Sequence, residues 1–442
     1  MKATRKFFYL TPLCALLAAG SAHATNGMLM EGYGPISTGM GGASQAIDHG
    51  NAGMAQNPAT LGMMADGTAR LDVAFGILGP DVTSSVPPAF GGAAKSGGTS
   101  YLMPAFGYTR RNGAMTYGIG MFAQGGMGTE YDATSFLAMG SGAPVRSELG
   151  VGNVIFPLAY QVNSNLTVGA TLKFMWSSLD LQMAASGAQL AGMVTSASGN
   201  LAGALAPLSG APWARINFTD SNDFTGAAKS TGFGASLGAT YIFNKDVTMG
   251  TSYQFKSALD DMKTASSDAS MTAFGGFVDH GQITVVDFQM PSVFAVGASW
   301  QASPALLLAA DLKYIGWADA MKSFKMRYDS SGMGGSVNFA MAQNWKDQTV
   351  LNLGMAWKAN DALTLRAGLN LAGNPIPDAD VNPLFPATVK NHATLGFGYK
   401  VSAAGDFNMS VTMAPKVTVM SGSGVEISHA QTNWQFMYSH RF

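Results

Sequence analysis

The sequence has few charged residues, a single cysteine and no long apolar run. Asp, Glu, Lys and Arg make up 12% of the 442 residues, against about 25% in ordinary globular domains. The cysteine, Cys14, lies near the N-terminus, so the rest of the chain has neither a disulfide framework nor thiolate chemistry. No window of 18 consecutive apolar residues exists, which excludes transmembrane helices. There is no basic patch, so no nucleic-acid partner is expected.

The abundant residue types are unusual for a water-soluble protein. Hydrophobic residues reach 47%, and the chain contains 55 Gly and 28 Met. Such a chain is too apolar for a water-soluble protein, yet it lacks helical membrane spans. A closed β-barrel resolves the conflict, because its strands satisfy their backbone groups laterally and leave no free edge. The composition therefore favours an all-β, transmembrane, antiparallel β-barrel.

The first 24 residues have the layout of a secretory signal peptide. Lys2, Arg5 and Lys6 form a basic head, an apolar run follows over 7–20, and small residues surround Ala24. The apolar run is shorter than the roughly 20 residues that a membrane anchor needs. The pattern predicts export to the bacterial outer membrane, with cleavage near Ala24 and a mature chain beginning at Thr25. The residues before Cys14 do not form a lipoprotein cleavage site.

Strict alternation of apolar and polar residues recurs along the rest of the chain. From 166 to 177, Leu, Val, Ala, Leu, Phe and Trp take one face, and Thr, Gly, Thr, Lys, Met and Ser take the other. Similar patterns occur over 306–314, 351–358 and 363–371. Alternation with a period of two is the signature of a strand with two unlike faces. Many such segments with few charges elsewhere favour lipid outside and a lumen inside.

Connections alternate between short polar turns and long Gly-, Ser- and Pro-rich stretches. The short turns lie at 111–113, 163–165, 244–246, 302–304, 359–361 and 404–406, and the long stretches at roughly 79–100, 124–150, 184–229, 259–280, 317–347, 373–390 and 420–430. Outer-membrane barrels have short periplasmic turns and long external loops. The count predicts about 14 strands in a barrel over residues 68–442. Alternate aromatic residues end the chain at Phe442, which indicates recognition by the barrel-assembly machinery.

Residues 25–67 are too irregular for a strand and are rich in small residues. They include Gly39-Met40-Gly41-Gly42-Ala43 and the triplet Asn57, Pro58 and Ala59. Small residues allow a backbone to pack closely in a confined space. We therefore expect this segment to form a hatch that plugs the lumen.

This segment resembles the hatch of the FadL/TodX family of outer-membrane transporters of hydrophobic compounds. The Gly-Met-Gly-Gly-Ala stretch, the region of Asp48 and Asn57-Pro58-Ala59 fall in the family's order. The resemblance continues over 122–131, 231–253 and 291–317, and it is best over 351–399. It covers nearly the whole mature chain, with poor matching in the long loops.

The resemblance implies a 14-stranded barrel in which the ligand lands on external loops and moves to an apolar pocket inside. It then leaves sideways, through a gap made by an inward kink in the third strand. Here that strand would run over 115–123 and the kink would fall at 124–128, with Gly125, Gly126 and Gly128 as its candidates. Many family members have Pro-aromatic-Gly at this place, whereas this chain has Gln-Gly-Gly. The alternative is that the glycines only begin an external loop.

The predicted function is passive uptake of hydrophobic small molecules, either long-chain fatty acids or hydrocarbons. A fatty acid would need a cation in the lumen, because burying an unpaired carboxylate is costly. Lys173, Lys313, Lys358 and Arg366 have the lumen phase, and the alternative for each is an ion pair with a neighbour such as Asp311. Met183 and Met193 are candidates for an apolar landing groove in the external loops, or else for packing between loops.

Two other classes of function were weighed against uptake. A general porin for small polar solutes needs a charge-lined, water-filled lumen, which this charge-poor chain lacks. A lipid-hydrolysing barrel enzyme is suggested only by Gly234-Ala235-Ser236-Leu237-Gly238, which falls inside an alternating strand instead of at a sharp strand-to-helix turn. The histidines lack metal-ligand spacing. We expect no catalytic residues, metal or cofactor, and a monomer whose partners are the hydrophobic ligand and outer-membrane lipid.

Overall fold

A computed structural model describes residues 26–222 and 225–442 of the chain. The predicted signal peptide and Thr25 lie outside these residues. Twenty-three strands occur in the described part: β1 Ala69–Ser85, β2 Ala93–Lys95, β3 Tyr101–Asn112, β4 Met115–Tyr131, β5 Val145–Gln161, β6 Leu166–Ala185, β7 Val194–Ala197, β8 Ala214–Phe218, β9 Ala228–Ile242, β10 Val247–Gln254, β11 Ala258–Leu259, β12 Met262–Lys263, β13 Ala269–Ala273, β14 Phe277–Val286, β15 Val293–Ser303, β16 Leu306–Ile315, β17 Ser323–Ser330, β18 Ser336–Ala342, β19 Gln348–Lys358, β20 Leu363–Ala372, β21 His392–Lys400, β22 Gly405–Met420 and β23 Glu426–Arg441.

Helices are few and short. They are α1 Gly34–Thr38, α2 Gly187–Met193, α3 Gly199–Leu208 and α4 Trp317–Ala320, and single 3-10 turns occur at Gly50–Ala55, Pro58–Met63, Pro88–Phe90, Phe136–Ala138 and Asp378–Asp380. Within the described residues, no helix has both the length and the apolar character that crossing a membrane requires.

Antiparallel pairings close the sheet into a barrel. The ring runs β1–β3–β4–β5–β6–β9–β10–β15–β16–β19–β20–β21–β22–β23 and returns to β1, whose residues 70–85 pair with 426–441 of β23. The expectation of about 14 strands therefore falls short of the 23 that the described residues contain, although fourteen of them make up the ring. The others lie in the long connections between wall strands.

The sequence had suggested that the long connections are open loops, but they contain helices and short strands. The stretch 184–229 holds α2, α3, β7 and β8, and 317–347 holds β17 and β18. The added strands pair with each other and with the outer ends of wall strands, as when β8 pairs with both β6 and β13. They bury an apolar core that includes Phe218, Ile283 and Phe339. We call these helices and strands of the long connections the cap. Their strands extend the ladders of the wall, because buried backbone N–H and C=O groups need hydrogen-bond partners.

The wall has an apolar outer face and a polar inner face. In β6, the side chain of Leu172 is 57% exposed and points outward, whereas its neighbours Thr171 and Lys173 are buried inside. Outward-facing Trp300, Leu312 and Leu395 are also about half exposed. Exposed apolar side chains in such numbers are expected only where lipid surrounds the wall.

Candidate functional site

The segment predicted as the hatch, described from Asn26 onward, packs against the lumen side of the wall on the side of the short turns. Asn51 connects it to two wall strands, since its Nδ2 donates to Arg70 O at 3.0 Å and to Gly107 O at 2.7 Å. The first wall strand begins at Ala69, immediately after this segment.

Asn57, Pro58 and Ala59 form one of the joints between hatch and wall. Asn57 Nδ2 donates to Gln45 O at 2.8 Å and to the wall carbonyl of Ala239 at 3.2 Å, and Asn57 Oδ1 accepts from Ala59 N at 3.1 Å. Pro58 starts the 3-10 turn that follows, where its missing N–H is not needed. The motif thus shapes the hatch and ties it to β9.

Lumen-facing glycines of the wall provide the seat of the hatch. A Cβ atom on Gly250 would overlap Gln45 O, one on Gly238 would overlap Asn57 Oδ1, and one on Gly368 would overlap Gly41 N. The hatch backbone can approach the wall this closely only because no side chain intervenes. These glycines were not predicted from the sequence as the seat of the hatch, although they are recognisable as Gly at lumen-phase positions of alternating strands.

Charged wall residues hold the hatch backbone. Asp311 Oδ2 accepts from Ser44 N at 2.6 Å and from Gln45 N at 3.1 Å. Lys313 Nζ donates to Glu31 O at 3.1 Å and to Gly42 O at 3.3 Å. Lys313 was a candidate ligand-binding cation, but its donors are directed at the hatch.

An ion pair reinforces the same seat. Asp48 of the hatch lies 2.9 Å from Arg70 Nη1 of the wall. Burial alone would raise the pKa of Asp48, but the Arg70 guanidinium and the Gly50 N–H outweigh burial and hold that pKa below its usual value. The carboxylate therefore stays charged and the pair stays intact at neutral pH.

The other three predicted cations have different surroundings. Lys173 faces the lumen, where its Nζ donates to Gln254 Oε1 at 2.6 Å. Arg366 donates to Asn408 Oδ1 at 3.0 Å and lines a pocket beneath the hatch. Lys358 has the lumen phase of β19, but it is the last residue of that strand and lies exposed, 2.9 Å from Asp361 in the following turn. Its role as a ligand-binding cation stays a prediction.

The wall is interrupted between β3 and β4. Their ladder ends at the pair Ala105–Phe122, although β4 continues to Tyr131 with β5 as its partner. A bulge in β4 between Ala123 and Gly125 turns the strand away from β3. The two edges meet again farther out, where Gly97 N donates to Glu130 O at 2.8 Å. We call the intervening opening the window.

The glycines of the predicted kink lie along one edge of this window. Gly125, Gly126 and Gly128 are paired with β5, so the alternative that they begin an external loop is wrong. The third wall strand, β4, was expected to end at 123. This expectation is wrong, because β4 remains paired with β5 as far as Tyr131. The ladder between β4 and β5 continues beyond the bulge, whereas the ladder between β3 and β4 stops before it. The sequence could not show that one ladder continues where the other stops.

A cavity of about 370 Å³ passes through the window. Its lining combines lipid-facing side chains such as Leu102 and Met121 with lumen residues such as Met28 and Leu29. Leu29 forms an isolated β-bridge with Gly125, so the start of the hatch lies directly behind the opening. Among the described residues that line the cavity there is no Lys or Arg, and the charged ones are Glu31 and Glu148.

The two predicted landing-groove methionines lie away from this cavity. Met183 is 7% exposed and belongs to the apolar core of the cap, and Met193 is half-buried against the same core. Their placement favours the alternative of packing between loop elements. The landing groove on these residues stays a prediction.

The hydrolase-like motif and the histidines give no reactive cluster in the described residues. Ser236 of the Gly-x-Ser-x-Gly pattern lies in the middle of β9, and its hydroxyl is hydrogen-bonded to Thr171. Within residues 26–222 and 225–442, no three His, Cys, Asp or Glu side chains are placed to hold a metal ion.

Comparison with known proteins is consistent with this geometry. The family described as "Outer membrane protein transport protein (OMPP1/FadL/TodX)" matches residues 15–438. The Pseudomonas putida toluene transporter TodX is 30% identical, with a TM-score of 0.83 over 93% of this chain and 99% of that one. The Ralstonia pickettii toluene transporter TbuX is 30% identical, with a TM-score of 0.78 and the same coverage.

A third relative matches only a short stretch. An uncharacterized Chlorobium limicola protein, encoded in the 5' region of a phosphoenolpyruvate carboxykinase gene, is 49% identical over 73 residues. The match spans 16% of this chain and 35% of that protein.

A closed barrel with a seated hatch and a cavity that crosses its wall defines an outer-membrane transport barrel. The chain belongs to the outer membrane transport protein family that includes FadL and TodX. The predictions of a β-barrel and of a family that takes up hydrophobic compounds are confirmed, and a porin for polar solutes is not favoured.

Proposed function

We propose that the protein mediates passive uptake of small, neutral, hydrophobic molecules, with monoaromatic compounds as the best-fitting class. The cavity in the window carries this proposal, because apolar side chains dominate it and neither Lys nor Arg is among its described lining residues. A fatty-acid carboxylate would meet Glu31 and no lining cation, because Glu148 is already in an ion pair with Arg146. Burying an anion beside like charges is unfavourable.

The relatives support the same class. TodX and TbuX are both named as toluene transporters, and each is covered over 99% of its length. Long-chain fatty acids, the other substrate class raised by the sequence, find no comparable support in the described cavity. None of the four predicted cations lines it.

The window also favours lateral exit into the membrane. A ligand that leaves between β3 and β4 passes from an apolar cavity directly to lipid-facing Leu102 and Met121. This route avoids exposing apolar groups to water, which would cost about 0.8 kcal/mol for each CH₂. The hatch blocks the alternative route along the barrel axis, where its backbone is hydrogen-bonded to the wall around the lumen.

Further parts of the proposal concern export, membrane assembly, oligomeric state and the absence of enzymatic activity. The signal peptide is cleaved near Ala24, the barrel-assembly machinery recognises the C-terminal strand ending at Phe442, and the barrel works as a monomer. The protein is not an enzyme. Edge-free closure of the wall supports the monomer, since no strand requires a partner chain.

Uptake measurements with a blocked window test the proposal. Gly150 lines the cavity, and a Cβ atom there would meet nothing closer than Ser178 Oγ at 3.7 Å. Gly150→Phe should fit without a backbone clash and obstruct the cavity, so toluene uptake by cells should fall about tenfold or more, as expected when a pocket is filled. Gly126→Val is less suitable, because its Cβ would press on Leu149 O at 2.6 Å.

The matched control is Gly203→Phe in α3, where no atom lies within 4 Å of the new Cβ. This variant should take up toluene like the unaltered protein. If Gly150→Phe folds and transports normally, the route does not pass through the window. If the unaltered protein takes up oleate but not toluene, the substrate class is wrong.

A further inference from the structure

Two residues that line the cavity each carry a buried polar atom that lacks a partner. Glu31 is 2% exposed and its Oε1 forms no hydrogen bond, and His429 is 7% exposed and its Nε2 forms none. Both residues line the cavity in the window. Buried polar atoms without partners are rare in folded proteins and call for an explanation.

Both atoms are hydrogen-bond acceptors. His429 Nδ1 lies 2.7 Å from Pro386 O, and a carbonyl oxygen can only accept, so Nδ1 carries the hydrogen. In the neutral imidazole, Nε2 then presents a lone pair. The carboxylate oxygen of Glu31 also presents only lone pairs. The molecule that complements this end of the cavity must therefore bring a hydrogen-bond donor.

The remainder of the cavity sets the other requirements. Met28, Leu29, Leu102 and Met121 provide apolar surface, and the described lining residues include no Lys or Arg to pair with an anion. A volume of about 370 Å³ lies within the range of small-molecule pockets. A compact neutral ring with one hydroxyl would pair one of the two acceptors, whereas a pure hydrocarbon would leave both unpaired.

We propose that the cavity binds small phenols, with the ring in the window and the hydroxyl donating to Glu31 Oε1 or His429 Nε2. This inference rests on the proposed uptake of neutral aromatic molecules and narrows their class. A site built to accept a hydroxyl hydrogen loses affinity for an analogue that lacks it, because its buried acceptors then stay unpaired.

Binding of p-cresol and p-xylene to the purified, full-length protein in detergent provides the test, since the two ligands differ by a hydroxyl in place of a methyl group. Calorimetry gives the ratio of their dissociation constants. In Glu31→Met, in His429→Phe or in the double variant, that ratio should shift about 3- to 10-fold against p-cresol, the loss expected for one hydrogen bond. His440→Phe, at the far end of β23, is the control and should keep the original ratio.

A spectroscopic measurement avoids variants altogether. The near-ultraviolet band of p-cresol shifts to longer wavelength when its hydroxyl donates a hydrogen bond, so the bound ligand should absorb at longer wavelength than p-cresol in cyclohexane. No shift, or an unchanged ratio in the double variant, overturns the phenol site and indicates that water alone serves the two acceptors. If p-xylene still binds, the uptake proposal stands; if neither ligand binds, that proposal fails as well.

Discussion

The two halves of the lumen are built differently. On the side of the short turns, the hatch is joined to the wall by polar contacts and by glycines that let the backbones touch. On the outer side, Leu29 bridges Gly125 and the Tyr33 hydroxyl donates to Gln124 O at 2.8 Å, and an apolar cavity remains. The barrel is therefore tight along its axis and open at its side, which suits a ligand that should avoid water.

The polar half follows from the irregular backbone of the hatch. The short helical turns of the hatch pair only some of its own N–H and C=O groups, so the wall must supply partners for the others. Asn352 Nδ2 donates to Gly42 O at 2.9 Å, Ser299 Oγ donates to Ala46 O at 2.7 Å, and Thr394 Oγ1 accepts from Gly41 N at 2.9 Å. The apolar half needs no such partners and can remain available to a ligand.

Removing the hatch should have the largest effect on the difference between the two halves of the lumen. The ladders that close the ring of wall strands include no hatch residue, so deletion of residues 25–67 should leave a barrel that still closes. Without its plug, a ring of this size encloses a water-filled channel. Conductance in planar bilayers should rise from near background to that of an open pore.

A single substitution gives a milder form of the same experiment. Gly250→Val should displace Gln45 and partly open the barrel, whereas Gly76→Val should not, because the nearest atoms to a Cβ on Gly76 lie at 3.6 Å. A deletion barrel that conducts no better than the intact protein would show that the cap, and not the hatch, closes the lumen.

An intermediate effect is expected at Asp311. Asp311→Ala would leave the buried N–H groups of Ser44 and Gln45 without an acceptor, at a cost of about 1–3 kcal/mol. Their amide hydrogens should then exchange about 10- to 100-fold faster, as local opening becomes easier. Asp311→Asn retains an acceptor oxygen and should have a smaller effect.

Hydrogen exchange followed by mass spectrometry measures this change, with Asp246→Ala in an exposed turn as the control. Unchanged protection of Ser44 and Gln45 in Asp311→Ala would mean that close packing on the wall glycines alone holds the hatch.

The wall strands were predictable because lipid imposes a strict period of two. The alternation that begins at Leu166 and the turn at 163–165 agree with β6 and with the end of β5 at Gln161. The contents of the long connections were not predictable, because their short strands form only by pairing with distant segments such as β6 with β8. Local sequence does not record such partners.

The site was predictable in position but not in construction. Gly125, Gly126 and Gly128 marked the window, yet the bulge after Ala123 depends on which neighbour keeps its ladder. In the sequence, Lys313 and Lys358 both occupy positions that face the lumen in an alternating strand. Their roles differ because one lies level with the hatch and the other at the end of its strand, and height along the barrel is set by the register of the whole ring.

The smallest expected effect concerns Lys358, and it separates the two exit routes. Lys358 and its partner Asp361 are exposed in a short turn, on the far side of the hatch from the cavity. Exposed ion pairs of this kind contribute about 0.2–1 kcal/mol, so Lys358→Met should leave the unfolding midpoint nearly unchanged. Toluene uptake should also be unchanged, since a ligand that leaves through the window never reaches this turn. A several-fold change in uptake with intact folding would place the ligand at the periplasmic mouth and would favour passage along the barrel axis over lateral exit.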